Sequence, residues 1–235
     1  MLSKKNLNKL LFLDIETVGI ESNLENLEKN RPNLFRLFND KLDFITKHLR
    51  EERESLTLDE MYQKSAPLYP ELGKIVCITI GILDKNNNVK LQNFYGDDEK
   101  KLLSDFREVA NRCYDLEYEL CGHNIKNFDI PYIGKRFLIN ELSPFKYAPE
   151  PEDKPWELKI LDSRDVWRFA NFMSDLSSMD SISNVMGLEN PKDNDIKGEN
   201  VHENYWKGNL EEIKNYCEKD VLWLHTFLNK IKNFK

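Results

Sequence analysis

The stretch Leu10-Leu11-Phe12-Leu13-Asp14-Ile15-Glu16-Thr17-Val18-Gly19 decides how this chain is read. Leu10 to Ile15 is a short apolar run closed by Gly19, the pattern of a buried strand. Side chains alternate along a strand, so Asp14 and Glu16 leave the same face, at the strand's C-terminal end. Two carboxylates in a mostly apolar strand are costly unless something positive binds beside them. A hard cation such as Mg²⁺, which takes oxygen ligands, answers that cost. Taken alone, the pair also fits one solvated turn carboxylate and one capping carboxylate.

Working outward, residues 21–72 do not read as sheet. Leu34, Leu37, Phe38, Leu42, Ile45 and Leu49 recur at helical spacing with charges between them. Thr57-Leu58-Asp59-Glu60 is a capping box that opens a second, short helix, and Ala66-Pro67-Leu68-Tyr69-Pro70 ends it. Ile75–Leu83 and Val89–Tyr95 read as strands joined by an Asn- and Asp-rich turn, hence an antiparallel hairpin. Asp97-Asp98 opens a helix with Leu102, Phe106, Val109 and Cys113 along one stripe. Tyr118–Gly122 is a short strand and Leu158–Leu161 the last one, with a helix from about Ile130 between them, Pro131 suiting its first turn. Helices follow near Val166–Met173 and Ser181–Met186, the second with Ser177-Ser178-Met179-Asp180 as capping box and Gly187 as C-cap. Glu189–Tyr205 is polar and reads as a long loop before a final helix that starts at Asn209. This order of elements predicts an α/β fold with a mixed sheet flanked by helices.

Two more segments carry chemistry. Gly122-His123-Asn124-Ile125-Lys126-Asn127-Phe128-Asp129 leaves a strand and enters a helix, which puts Asp129 in or beside a first helical turn. A carboxylate is favoured there by the helix dipole and free amides, and a plain Asp cap is the structural alternative. Within the final helix, Tyr216 and Asp220 are four apart and share a face. They lie at the edge of a core stripe formed by Ile213, Cys217, Val221, Leu224, Leu228 and Ile231.

Together these motifs resemble the DEDDy-type 3′–5′ exonucleases of the ribonuclease-H-like superfamily. The matching residues are Leu13-Asp14-Ile15-Glu16-Thr17, then Asn124-x-x-x-Phe128-Asp129, then Tyr216-x-x-x-Asp220. The second stretch, with Ile130-Pro131-Tyr132, looks most like the proofreading domain of family-B DNA polymerases. The chain as a whole resembles the stand-alone predicted exonucleases related to that domain. The resemblance implies a mixed five-stranded sheet flanked by helices and a metal-dependent 3′–5′ exonuclease. It implies Asp14, Glu16, Asp129 and Asp220 as ligands of two divalent ions, Mg²⁺ or Mn²⁺, with Tyr216 orienting the attacking water. A free phenol has a pKa of about 10, which makes it a poor base at neutral pH and favours positioning. Thr17 and Val18, through backbone, and Asn124 and Phe128 would meet the terminal nucleotide. Core packing is the structural alternative for Phe128, and hydrogen bonding at a strand end is the expectation for His123.

The chain departs from a minimal domain of this kind in the helical insertion at about residues 21–72, after the first strand. It carries eight basic against ten acidic residues from Glu21 to Lys64 and could cap the site or contact a replication or repair protein. The whole chain, residues 1–235, is expected to be one exonuclease domain. Asn215 stands where a sister branch carries His. His202-Glu203-Asn204 lacks the second His of a zinc-protease helix.

Composition bounds the rest. With 235 residues, 32% charged and a net charge of −7, the protein is not expected to grip long duplex through a broad basic face. The expected partner is a nucleic acid 3′ end, single-stranded or frayed DNA first. RNA 3′-end trimming, or an inactive nuclease-like binding or scaffold module, is the alternative. Four cysteines without a CxxC pair suggest a reducing cytoplasm. The longest apolar run, Ile75–Leu83, is too short to span a bilayer.

Overall fold

A computed structural model of the chain describes residues 5–154, 156–171, 176–190 and 196–233. Strand β1 (Leu10–Gly19) continues four residues beyond Ile15, because β2 (Gly73–Leu83) pairs with it antiparallel from Phe12–Gly81 to Gly19–Gly73. The register shifts between Glu16 and Thr17, beside the carboxylates. β3 (Val89–Tyr95) completes the antiparallel hairpin. On the other edge β4 (Glu119–Gly122) runs parallel to β1, and β5 (Ile160–Asp162) parallel to β4. The sheet order is β3-β2-β1-β4-β5. This is the mixed five-stranded sheet that the resemblance implies.

Pairing between β1 and β4 stops at Phe12–Cys121. From Leu13 onward one edge of β1 is released, and the cleft opens there.

The insertion is helical: α1 (Leu24–Asn30), α2 (Pro32–Asp40), α3 (Leu42–Ile45), a 3₁₀ stretch Lys47–Ser55, and α4 (Leu58–Ser65). The periodic run Leu34–Leu49 is thus divided, with a left-handed Arg50 (φ 49°) just beyond it. The Thr57–Glu60 capping box forms as read. Leu27, Phe38, Ile45, Tyr62, Ala66 and Leu72 make a small core of their own. Tyr62 clamps this layer to the end of β1, since its hydroxyl donates to Glu21 O and accepts from Glu21 N, both at 3.2 Å.

The remaining helices are α5 (Glu99–Asp115), α6 (Asp129–Ile139), α7 (Ser163–Arg168), α8 (Met179–Met186), α9 (Val201–Trp206) and α10 (Leu210–Lys232). Leu103, Phe106, Ile133 and Phe137 pack with the Leu11, Leu13 and Ile15 face of β1, while Val221, Leu224 and Phe227 of α10 pack with Leu10 and Phe12. The apolar stripe of α10 is wider than expected, because Trp223 and Phe227 also bury, stacked with centroids 5.0 Å apart.

Two readings are corrected. Ser178, not Ser177, caps α8, accepting from Ser181 N, and Ser177 is buried with its carbonyl on His123. His202-Glu203-Asn204 lies on a short helix rather than in a loop, because Val201, His202 and Tyr205 form a buried stripe at i, i+1 and i+4. His202 accepts from Gly19 N at Nδ1 (3.0 Å) and donates from Nε2 to Ser22 O (3.0 Å). Burial pushes its pKa down, which keeps the imidazole neutral as both bonds require. A helix boundary also shifts: the helix expected near Val166–Met173 begins at Ser163 and ends at Arg168, where Phe169 (φ 48°) and Ala170 (φ 63°) turn left-handed. Met173 and part of the expected loop, residues 191–195, lie outside the described residues.

One buried ion pair sets the position of α6. Arg136 donates from Nε and Nη2 to the two oxygens of Glu99 (2.9 and 2.5 Å) and from Nη1 to Pro70 O (2.8 Å). Glu99 also accepts from Ile75 N and Asn140 Nδ2. Removing one partner strands the other charge, which typically costs about 3–5 kcal/mol. Arg136→Ala is therefore expected to lower the unfolding free energy by about that amount, read as the urea midpoint at unchanged slope.

Candidate active site

Three separate elements deliver the side chains singled out in the sequence. Asp14 and Glu16 project from β1 toward α10. The Cys217 sulfur and one carboxylate oxygen each of Asp14 and Glu16 lie within 4.8 Å of one another. Cys217 donates through Sγ to Asp14 Oδ2 and Asp14 O, both at 3.4 Å. Burial pushes this thiol's pKa up, so it remains a donor.

Asp129 is the first residue of α6 and is buried. Its approach to β1 follows from the early end of β4, which frees the backbone at Ile15. Tyr216 and Asp220 sit one above the other on α10, both buried at the edge of its core face. Asp14 and Glu16 each feel the charges of both Asp129 and Asp220, and Tyr216 feels those of Asp220, Glu16 and Asp14. The five positions are therefore electrostatic neighbours, and the tightest set among the described residues, within 4.8 Å, is Asp14, Glu16 and Cys217.

The electrostatics are those of crowded acids. Burial raises the pKa of Asp14 well above the ordinary value, and repulsion from Asp220 and Asp129 adds to it. Burial likewise raises Glu16, with Asp14 and Asp220 next in effect. Asp129 is pushed up to about 7, chiefly by burial, while backbone hydrogen bonding at Asp129 and Ile15 pulls the other way. Tyr216 is raised by burial and by the adjacent Asp220, so its phenol stays protonated. Among the described residues no Lys, Arg or His forms an ion pair with Asp14, Glu16 or Asp129. A carboxylate donor set in which Asp14, Glu16 and Asp129 carry no ion-pair partner among the described residues fits hard divalent cations. The four carboxylates are the residues that would hold them.

The expected substrate contacts are partly visible. Thr17 Oγ1 donates to Pro67 O (2.7 Å), tying β1 to the end of the insertion. The Val18 side chain is fully buried beside Tyr205 and Tyr216, so only its backbone can meet a ligand. Phe128 is half-buried at the N-cap of α6, with its ring 5.4 Å from that of Tyr132. Asn124 adopts a left-handed conformation (φ 61°) and accepts at Oδ1 from Arg164 Nη1 (2.8 Å). His123 bridges Ser163 Oγ and the Ser177 carbonyl, the hydrogen-bonding role expected of it.

Two participants escaped the sequence reading. Asp162, at the end of β5, accepts from the backbone N–H groups of Asn124, Lys126 and Arg164 (2.9, 3.2 and 2.9 Å) and so fixes the loop that presents Asn124 and Phe128. Its signal was an Asp closing the last strand just before a helix. Cys217 was assigned to the core stripe, which is correct but omits its bond to Asp14.

The pKa shifts make stability depend on pH. A carboxylate whose folded pKa is raised favours folding when protonated. That contribution is complete below the unfolded pKa and is lost as pH rises through the folded value. Metal-free protein is therefore expected to lose stability as pH climbs from about 4 through about 7, the Asp129 value. Asp129→Asn should flatten this decline in melting temperature against pH.

Among the described residues no helix is long and apolar enough to cross a membrane. A search of curated proteins finds no match. Among solved structures, the family-B DNA polymerase from the hyperthermophilic archaeon Pyrobaculum calidifontis shares 14% identity at a TM-score of 0.54, over 94% of this chain and 24% of that one. Escherichia coli exonuclease I in complex with a dT13 oligonucleotide shares 12% at 0.44, over 95% and 41%. The chain thus spans about a quarter of the length of the polymerase and two fifths of that of exonuclease I. The polymerase match shows the fold. A family model described as a predicted 3′–5′ exonuclease related to the exonuclease domain of PolB matches residues 67–233, downstream of Asp14 and Glu16. With most of its length matched, the chain belongs to this family of predicted 3′–5′ exonucleases related to the PolB exonuclease domain.

Proposed function

We propose that the protein is a metal-dependent 3′–5′ exonuclease that hydrolyses the terminal phosphodiester of single-stranded or frayed DNA. The observation that carries this reading is the crowding of half-buried Asp14 with buried Glu16, Asp129 and Asp220, where desolvation and neighbouring carboxylates raise the pKa values of Asp14, Glu16 and Asp129. Two Mg²⁺ or Mn²⁺ ions held there would supply Lewis acidity, a more acidic water and charge neutralisation at the leaving 3′-oxygen.

The protein's own residues do the rest. The four carboxylates are held ready by β1, α6 and α10, which spares reorganisation at the moment of reaction. The protonated Tyr216 hydroxyl orients the attacking water by hydrogen bonding. Phe128 offers a ring face for the terminal base or sugar, and Asn124, held by Arg164 and Asp162, a polar contact. The backbone at Thr17 and Val18 borders the same end of β1. Cys217 keeps Asp14 in its rotamer through Oδ2.

The test is digestion of a 5′-labelled oligonucleotide with Mg²⁺ or Mn²⁺. A ladder shortening from the 3′ end is expected, with Asp14→Ala or Asp220→Ala losing at least about three orders of magnitude. Tyr216→Phe should lose about 10²-fold in kcat, since a positioning hydroxyl contributes on that scale. Matched DNA and RNA oligonucleotides should be cleaved in that order of preference. Absence of metal-dependent cleavage on either, together with no rise in melting temperature on adding Mn²⁺, would overturn the reading.

A further inference from the structure

Beyond the acids, the same face of the sheet carries a cation set between two aromatic rings. Glu16 and Val18 leave β1 on one face, and Lys74 of β2 lies directly opposite Val18. Lys74 therefore stands two residues, about 7 Å, further along the strand direction than Glu16 and one strand across. Its Nζ lies 4.7 Å from the Tyr205 ring centroid and 5.6 Å from that of Trp206. It donates to Tyr205 Oη at 2.7 Å, and Tyr205 Oη in turn donates to Asp97 Oδ1 at 2.5 Å. The relay pins the ammonium and takes one of its three N–H donors.

The neighbouring acids are already engaged. Asp97 accepts from Tyr205, Glu99 from Arg136, and Glu21 pairs with Arg31. Lys74 thus retains donors for a further anion. Tyr205 is buried among Val18, Tyr216 and Cys217, which anchors α9 against the active-site wall, whereas Trp206 beside it is 40% exposed. The Tyr205 and Trp206 rings meet edge to face at 5.1 Å. A half-exposed indole next to a pinned ammonium matches the chemistry of one nucleotide: an aromatic face for any base and a cation for its phosphate.

We propose that Lys74 and Trp206 form a nucleotide subsite flanking the four carboxylates, with the base on Trp206 and a backbone phosphate on Lys74. This rests on the exonuclease reading for the identity of the ligand as a DNA strand. It assigns α9, which lies outside all three sequence motifs, a part in holding the substrate.

The experiment uses full-length protein and a dT10 oligonucleotide, with binding measured in Ca²⁺ and cleavage in Mg²⁺. Wild-type tryptophan fluorescence is expected to be quenched by dT10, and the quench should be largely lost in Trp206→Phe. Trp206→Ala should weaken binding about tenfold or more, the range seen for loss of one stacking partner, with Trp206→Phe recovering most of it. Lys74→Met should reduce the slope of log K against log salt by about 0.7, the loss of one phosphate contact on single strands. A purely structural lysine would leave that slope unchanged. Quenching retained in Trp206→Phe, or an unaltered salt slope in folded Lys74→Met, would overturn the subsite. Glu16→Gln separates the two readings, because it should abolish cleavage while leaving the Trp206 quench in place. A quench without cleavage in wild type would defeat the nuclease reading alone.

Discussion

The structure depends on one unfavourable act, the burial of several carboxylates within reach of one another. At the effective dielectric of a protein, two like charges about 5 Å apart repel by about 3 kcal/mol. Desolvation adds to that repulsion for each group. The protein answers in part by holding protons: the raised values of Asp14, Glu16 and Asp129 all record a pocket that prefers to be less negative. On the proposed reading the same tension becomes affinity for cations, since whatever neutralises the pocket recovers the energy spent in assembling it. The burial thus works as stored binding energy.

Holding such a pocket together takes a scaffold whose contacts lie away from it. The positions of α6 and of the insertion's exit are tied by Arg136, Glu99 and Pro70, so Asp129 is placed by an ion pair two turns further along its own helix. α10 is placed by Trp223 and Phe227 against β1, two and three turns beyond Tyr216 along the same face of the helix. Asp162 gathers three amides of the loop and helix start that flank the cleft. The end of β1 is held by Tyr62 and His202, whose rings lie edge to face 6.3 Å apart beside Gly19. The early parting of β4 from β1 is what makes room. A sheet paired to its end would have filled the space that Asp129 occupies.

Much of this was legible beforehand. Apolar runs bounded by turn residues marked β1, β2 and β3, and the resemblance carried by Tyr216-x-x-x-Asp220 marked the third part of the candidate site. Local capping chemistry was nearly as informative, as Thr57–Glu60 shows, and failed by one residue at Ser178 because two serines in a row offer the same signal. What stayed hidden were contacts made across long separations. Nothing local in His202-Glu203-Asn204 announces a helix, since the polar residues between its buried positions mimic a loop. Its helicity is set by Val201 and Tyr205 docking on the wall beside Tyr216. Likewise Asp162 and Cys217 act on residues 38 and 203 positions away, a coupling that periodicity cannot reveal.

The acidic composition deserves a physical reading beside this site. At physiological ionic strength charges farther apart than about 8 Å are largely screened. A net charge of −7 spread over the molecule therefore governs approach to a long polyanion more than it governs contact at an end. A protein of this charge should slide poorly along duplex yet still hold a terminus, provided that the groups within that short radius are positive or stackable. Among the described residues around this cleft the pieces that qualify are local: cations bound by the carboxylates, the Phe128 ring, Arg164 beside Asn124, and the Lys74–Trp206 pair next to Val18. Divalent metal would then control two things at once, the chemistry and the sign of the potential that an incoming phosphate meets. Affinity for the strand and competence to cut it would rise together with metal occupancy, so an end would be gripped chiefly by enzyme that is ready to cleave it.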